Sequence, residues 1–136
     1  MTETDPSATE RLEVTPPHRE LLDQVLDKWS LEVLNTLCER PSRFNELRQA
    51  IPAVSQKSLS ATLRRLERNG IVARRVLATR PVAVEYGITP LGKTLRSPVD
   101  ALLEWADRHL AAVEAARRQY DEVSALRFSL PDRHAP

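Results

Sequence analysis

The sequence predicts a mainly α-helical chain with a small β-hairpin wing: a winged helix-turn-helix followed by a long C-terminal helix. Three observations predict it. Apolar residues recur every three or four positions from about residue 18 to residue 69, and Pro41 and Pro52 cut that stretch into helix-sized pieces. Directly after Gly70, two runs rich in Val, Ala and Ile are joined by a short segment containing Pro81. A heptad-like apolar pattern then occupies most of the remainder.

Taken in order, residues 1–17 are rich in Thr, Glu, Ser and Pro and carry too few apolar side chains to offset chain entropy, so a disordered or loosely docked N-terminal arm is expected. From His18, the positions Leu22, Val25, Leu26, Trp29, Val33, Leu34 and Leu37 form one helical stripe, with Asp27 to Ser30 dividing it into a short and a longer helix. Pro41 ends that segment. Ser42 is placed to open the next helix, which buries Phe44, Leu47 and Ile51 and closes at Pro52. Ser55 is the expected N-cap of a third helix with Leu59, Leu63 and Leu66 on its inner side, stopped at Asn69 by a left-handed Gly70. Two short helices joined through residues 52–54 make a helix-turn-helix.

Residues 71–77 then read as a strand, 78–81 as its turn, and Val82, Val84, Tyr86 and Ile88 as an alternating return strand. Thr89 before Pro90 is a helix start, because a proline at the first helical position forfeits no hydrogen bond. The domain expectation is therefore an arm over 1–17, a winged helix-turn-helix over 18–97, a dimerisation helix over 98–126 and a flexible tail over 127–136.

Charge locates a surface within this scheme. The net charge of the 136 residues is only +1, yet ten basic residues and two acidic ones stand between Arg40 and Arg80. A basic middle with acidic flanks suits a protein that meets phosphate on one side and water elsewhere. Wound at 100° per residue, the third helix sets Lys57, Ser60, Ala61, Arg64, Arg65 and Arg68 opposite its leucines. Small residues let a backbone approach base edges, Arg and Lys can pair with guanine, and the more distal cations reach phosphates. Ser55, Gln56 and Ser58 fall in the first turn, where unpaired backbone amides can also hold a phosphate. Arg43 at the preceding helix start, and Arg74, Arg75 and Arg80 on the wing, extend the expected DNA contact. Strand neighbours alternate faces, so Arg74 and Arg75 cannot serve the same phosphate, and one is expected to serve the fold. The rival reading is a winged-helix interaction module whose basic face meets an acidic protein instead of DNA.

Beyond Pro98, the residues Val99, Leu103, Ala106, Leu110, Val113 and Tyr120 line one helical seam, interrupted at Arg117. A domain of this size has little surface to cover so long a helix, so a second copy of the chain is the expected cover, with Leu22 of the first helix joining the contact. Catalysis has no candidates. His18, His109 and His134 lack metal-ligand spacing, Gly70, Gly87 and Gly92 form no phosphate loop, and no cofactor is expected. A single cysteine, Cys38, rules out an internal disulfide, fits a reducing compartment and is expected to be a buried structural thiol. No apolar run suits a membrane span and the N-terminus has no signal pattern, so a cytoplasmic protein is expected.

The blocks Asp27-Lys28-Trp29-Ser30, Arg43-Phe44-Asn45-Glu46-Leu47, Ser55-Gln56-Lys57-Ser58-Leu59, Thr62-Leu63-Arg64-Arg65-Leu66-Glu67, Val84-Glu85-Tyr86 and Thr89-Pro90-Leu91-Gly92 resemble the HxlR-type winged-helix regulators of bacteria. The resemblance runs from about Leu22 to Trp105. It implies a homodimer held by terminal helices, acting on nearby genes through a pseudo-palindromic operator in double-stranded DNA. It also implies Gln56, Lys57, Ser60 and Arg64 on the recognition helix and residues 74–80 on the wing. Some members of that family sense oxidants or electrophiles through a cysteine just before the first helix. Here that stretch reads Thr15-Pro16-Pro17-His18, which excludes thiol sensing at that site. A small-molecule effector entering between the terminal helices and the winged domain stays open, since no polar cluster marks a site for one.

Overall fold

A computed structural model describes residues 11–129. The expected arm and tail therefore fall largely outside the described residues, at 1–10 and 130–136. Helix α1 (Pro16–Val25) starts inside the stretch assigned to the arm. The reason is local: Thr15 caps it, its hydroxyl accepting the His18 amide at 3.4 Å, and Pro16 and Pro17 occupy positions whose amides would have no helical partner. Helix α2 (Ser30–Glu39) follows after a break. The Asp27 carboxylate makes that break by accepting the Trp29 and Ser30 amides at 3.2 and 2.9 Å.

Ser42 departs from its expected role. It is buried, its hydroxyl donates to the Arg40 carbonyl, and with Arg43 it forms a two-residue strand, β1 (Ser42–Arg43). Helix α3 (Phe44–Ala50) begins one residue later than a Ser42 cap would place it, with the Glu46 side chain accepting the Arg43 amide at 2.8 Å. Helix α4 (Gln56–Arg68) is capped as expected by Ser55, whose hydroxyl accepts the Ser58 amide at 3.0 Å. It stops at Gly70, at φ +75°, where the Gly70 and Ile71 amides donate back to the Glu67 and Leu66 carbonyls. That paired closure uses the one backbone region glycine occupies freely and satisfies two carbonyls that the helix end would otherwise leave open.

The wing is β2 (Val72–Thr79) and β3 (Val82–Ile88). With β1 they form a three-stranded antiparallel sheet in the order β1, β3, β2, one strand more than a hairpin. Arg74 lies opposite Tyr86 and Arg75 opposite Glu85, and the register shifts between Val76 and Ala78. Burial does not alternate along β3, all of whose residues from Ala83 to Ile88 are half-buried.

The core of this unit is aliphatic: Val33, Leu34 and Leu37 of α2, Leu47 of α3, Ile51 and Val54 of the turn, Leu59, Leu63 and Leu66 of α4, and Ile71 and Val72 at the root of the wing. Leu22 and Phe44, which the apolar stripes included, are exposed and half-buried respectively. Cys38 is likewise half-buried and not fully enclosed. Thr89 then caps the short helix α5 (Pro90–Lys93), accepting the Gly92 amide at 2.9 Å while its own hydroxyl donates to the Gly70 carbonyl at 2.6 Å. One threonine thus ties the end of the wing to the end of α4.

The chain divides into two compact units, at Arg96 and Ser97. The second is essentially helix α6 (Arg96–Ser129), about 50 Å long at 1.5 Å per residue. It begins before the expected start at 98 and continues past the expected end at 126. Pro98 is accommodated because it stands in the first turn, where no amide partner exists to lose. Trp105 and His109, one turn apart, stack with their ring centroids 5.0 Å apart.

Candidate nucleic-acid interface

Helix α4 has two unlike sides. Leu59, Leu63 and Leu66 are at most 2% exposed, and Thr62 is buried with them. Gln56, Lys57, Arg64 and Arg68 are exposed, with Ser60 and Ala61 half-buried among them and Ser55 exposed at the cap. The arrangement leaves three long cations around a shallow centre of small side chains, a surface able to approach a groove edge while reaching flanking phosphates. Ser55 spends its hydroxyl on the Ser58 amide, so only the other amides of that first turn are left to meet an anion.

Arg65 stands apart from this set. Its guanidinium forms an ion pair with Asp27 and donates to the Thr62 hydroxyl at 3.3 Å. The cause is its neighbour: Arg65 lies on the flank of the buried stripe beside Thr62, where the break between α1 and α2 presents the Asp27 carboxylate. The expected arc therefore narrows to Lys57, Ser60, Ala61, Arg64 and Arg68. Arg68 keeps one tie to the fold, donating to the Gln24 side chain at 3.3 Å.

On the wing, Arg74 reaches toward Glu67 of α4, with 3.9 Å between its Nε and the carboxylate, while Arg75 sits opposite Glu85 on the other face of the sheet. Arg80 is exposed at the turn. Arg43, exposed, precedes α3 at the edge strand. Helix-turn-helix and wing thus carry exposed cations on α4, β1, β2 and the wing turn, all within the first unit.

In α6, considered by itself, Leu103, Ala106, Leu110 and Tyr120 are exposed, Val113 is half-buried and Val99 is buried. Leu102, Trp105, Val123 and Leu126 add to its exposed apolar surface, and Leu22 is exposed on α1. Sequence reasoning passed over Gln24, Asp27 and Asn69, which touch the back of α4. Of the three, Asp27 alone had a signal, its place in the Asp27-Lys28-Trp29-Ser30 block.

The family model for the HxlR-like helix-turn-helix matches residues 24–114. The chain belongs to that family. An uncharacterised HTH-type transcriptional regulator, YtfH of Escherichia coli, is 39% identical over 101 residues, which is 74% of this chain and 80% of YtfH. Among solved structures, the ytfH transcriptional regulator of Salmonella typhimurium superposes with a TM-score of 0.68 at 36% identity, covering 75% of this chain and 91% of its own. The redox regulator HypR in its reduced form gives 0.67 at 34% identity, covering 73% and 98%. These relatives confirm the winged-helix architecture and the regulatory class. This HxlR-like chain is a DNA-binding transcriptional regulator and not an enzyme. Among the described residues no helix is long and apolar enough to cross a membrane.

Proposed function

We propose that this regulator acts in the cytoplasm as a homodimer on a pseudo-palindromic operator, with α4 in the major groove and the wing on the minor groove or the adjoining backbone. The observation that carries this reading is the two-sided burial of α4: a sealed leucine stripe behind an exposed set of Lys57, Arg64 and Arg68 around Ser60 and Ala61. In this reading Gln56, Lys57, Ser60, Ala61 and Arg64 face base edges, while Arg68, Arg43 and the backbone amides of Gln56 and Lys57 meet phosphates. Arg75 and Arg80 carry the wing contact, with Arg74 shared between Glu67 and the backbone.

The exposed apolar surface of α6 supports dimerisation, because so much leucine, tryptophan and tyrosine in water on one helix is costly unless a partner covers it. Leu103, Ala106, Leu110, Val113 and Tyr120, with Leu22 of α1, are the proposed contact. A two-fold axis then sets the two α4 helices one or more DNA turns apart.

The test replaces Lys57 and Arg64 by Ala, singly and together, and titrates each against duplexes selected by the unaltered protein from a random-sequence pool. Each lost base contact should weaken binding by about 1 to 3 kcal/mol. Unchanged affinity in the double variant would show that this face does not read DNA.

A further inference from the structure

The α1/α2 junction grips the back of the recognition helix at points that are polar and directional. One oxygen of the Asp27 carboxylate accepts the Trp29 and Ser30 amides and the Ser30 hydroxyl, fixing the carboxylate at the mouth of α2. The other oxygen takes the Arg65 guanidinium of α4. The pair is partly enclosed, with the Asp27 and Arg65 side chains 19% and 38% exposed, and Arg65 Nε lies fully buried. A few residues back, the Gln24 side chain accepts from Asn69 Nδ2 at 2.7 Å and from Arg68 at 3.3 Å. The same Asn69 amide also donates to the Arg65 carbonyl at 2.7 Å, so the two grips share one helical turn.

Apolar packing is non-directional, so a leucine stripe alone tolerates small rotations of α4. A carboxylate held by three donors and bonded to a guanidinium does not.

We infer that Asp27 and Arg65 are positioning residues: together they set the rotation of α4, and Arg65 makes no contact with DNA. The inference rests on the reading of α4 as the DNA-contacting helix, and it makes a prediction with an unusual sign. Asp27 is an acid beside a basic helix. Simple attraction to phosphate predicts that neutralising it strengthens DNA binding. A positioning role predicts weaker binding to the selected site, with binding to unrelated DNA preserved, because phosphate attraction needs no fixed rotation.

The experiment compares D27N, R65Q, the double variant and R65K with the unaltered chain. The probes are a duplex recovered from a random-sequence pool by the unaltered protein and a shuffled duplex of equal length, each titrated at several salt concentrations. Asparagine retains the oxygen that caps α2, so D27N removes the ionic tie and keeps the helix start. Expected are losses of about tenfold on the selected duplex for D27N and for R65Q, the size of one lost charge-assisted hydrogen bond. The double variant should be no worse than either single one. Affinity for the shuffled duplex should hold for D27N, and R65K, whose ammonium still reaches for Asp27, should retain most of the preference.

Tighter or unchanged binding of D27N to the selected duplex would overturn the inference. So would an R65Q loss accompanied by a fall of about one unit in the salt slope, since that marks a phosphate contact. Should R65Q fail to fold, D27N and R65K decide between the same outcomes. If the unaltered protein shows no preference for any duplex, the DNA-reading role of α4 itself is refuted, whatever the variants do.

Discussion

Gly92 is the position where the packing makes its sharpest demand. A methyl group there would stand 2.2 Å from the Ile71 carbonyl oxygen and 2.7 Å from Ile88 Cγ1. The first neighbour is backbone, and it is already engaged: the Ile71 carbonyl accepts the Thr89 amide at 3.1 Å. Alanine at 92 must therefore push α5 away from the end of α4. That motion weakens the Thr89 cap, worth about 1 kcal/mol, and one neighbouring hydrogen bond, worth about 1 kcal/mol, and adds overpacking strain of about 1 kcal/mol or more. The working figure is about 3 kcal/mol. In urea this is a fall of about 1.5 to 2 M in the unfolding midpoint, measured by circular dichroism at fixed protein concentration.

Gly70 supplies the control. Its φ of +75° penalises alanine, but a methyl there meets only Leu91 Cδ2 at an ordinary 3.7 Å, so G70A should cost about 1 to 2 kcal/mol. A G92A stability within about 0.5 kcal/mol of the unaltered protein, or a G70A more damaging than G92A, would refute this role for Gly92.

Two further outcomes follow from the exposed surfaces. Replacing Leu103 and Leu110 together by Asp places four charges in the proposed contact between copies, and should weaken the dimer about a thousandfold or more while leaving α6 helical; sedimentation equilibrium reads this, and an unshifted dimer would contradict the seam. Random-pool selection should return two half-sites related by a two-fold axis, with centres one or more helical turns apart, whereas recovery of an acidic protein partner and no enriched duplex would favour the interaction-module alternative.

Much of the helix-turn-helix was legible because its punctuation is chemical. Pro41, Pro52 and Gly70 stop helices for reasons intrinsic to those residues, and the leucine spacing of α4 names its own buried side. Other features depend on partners distant in sequence. Ser42 looks like a helix cap until Tyr86 pairs with it across the sheet, and a two-residue strand has no periodicity to read. The start of α1 is a different case, since its cause is local: Pro16 and Pro17 read as arm composition, yet they begin α1 because the neighbouring Thr15 caps it. Arg65 is the instructive case for the site. On a helical wheel it joins the basic arc, and only the position of Asp27, set by the break between α1 and α2, turns it inward. In the wing, the expected alternation of burial is lost because both faces of β3 are partly covered from Ala83 to Ile88.

Lys57 and Arg64 are the proposed means by which the exposed face of α4 engages DNA. The most direct measurement is the affinity of the unaltered protein and the Lys57→Ala/Arg64→Ala double variant for a selected duplex across a salt series. The unaltered protein should show a steep linear loss of log affinity with log salt. The double variant should bind more weakly at every salt and with reduced preference over shuffled DNA, with a shallower slope to the extent that the two cations also meet phosphate. Coincident curves for the two proteins, or an affinity flat with salt, would contradict this role for α4.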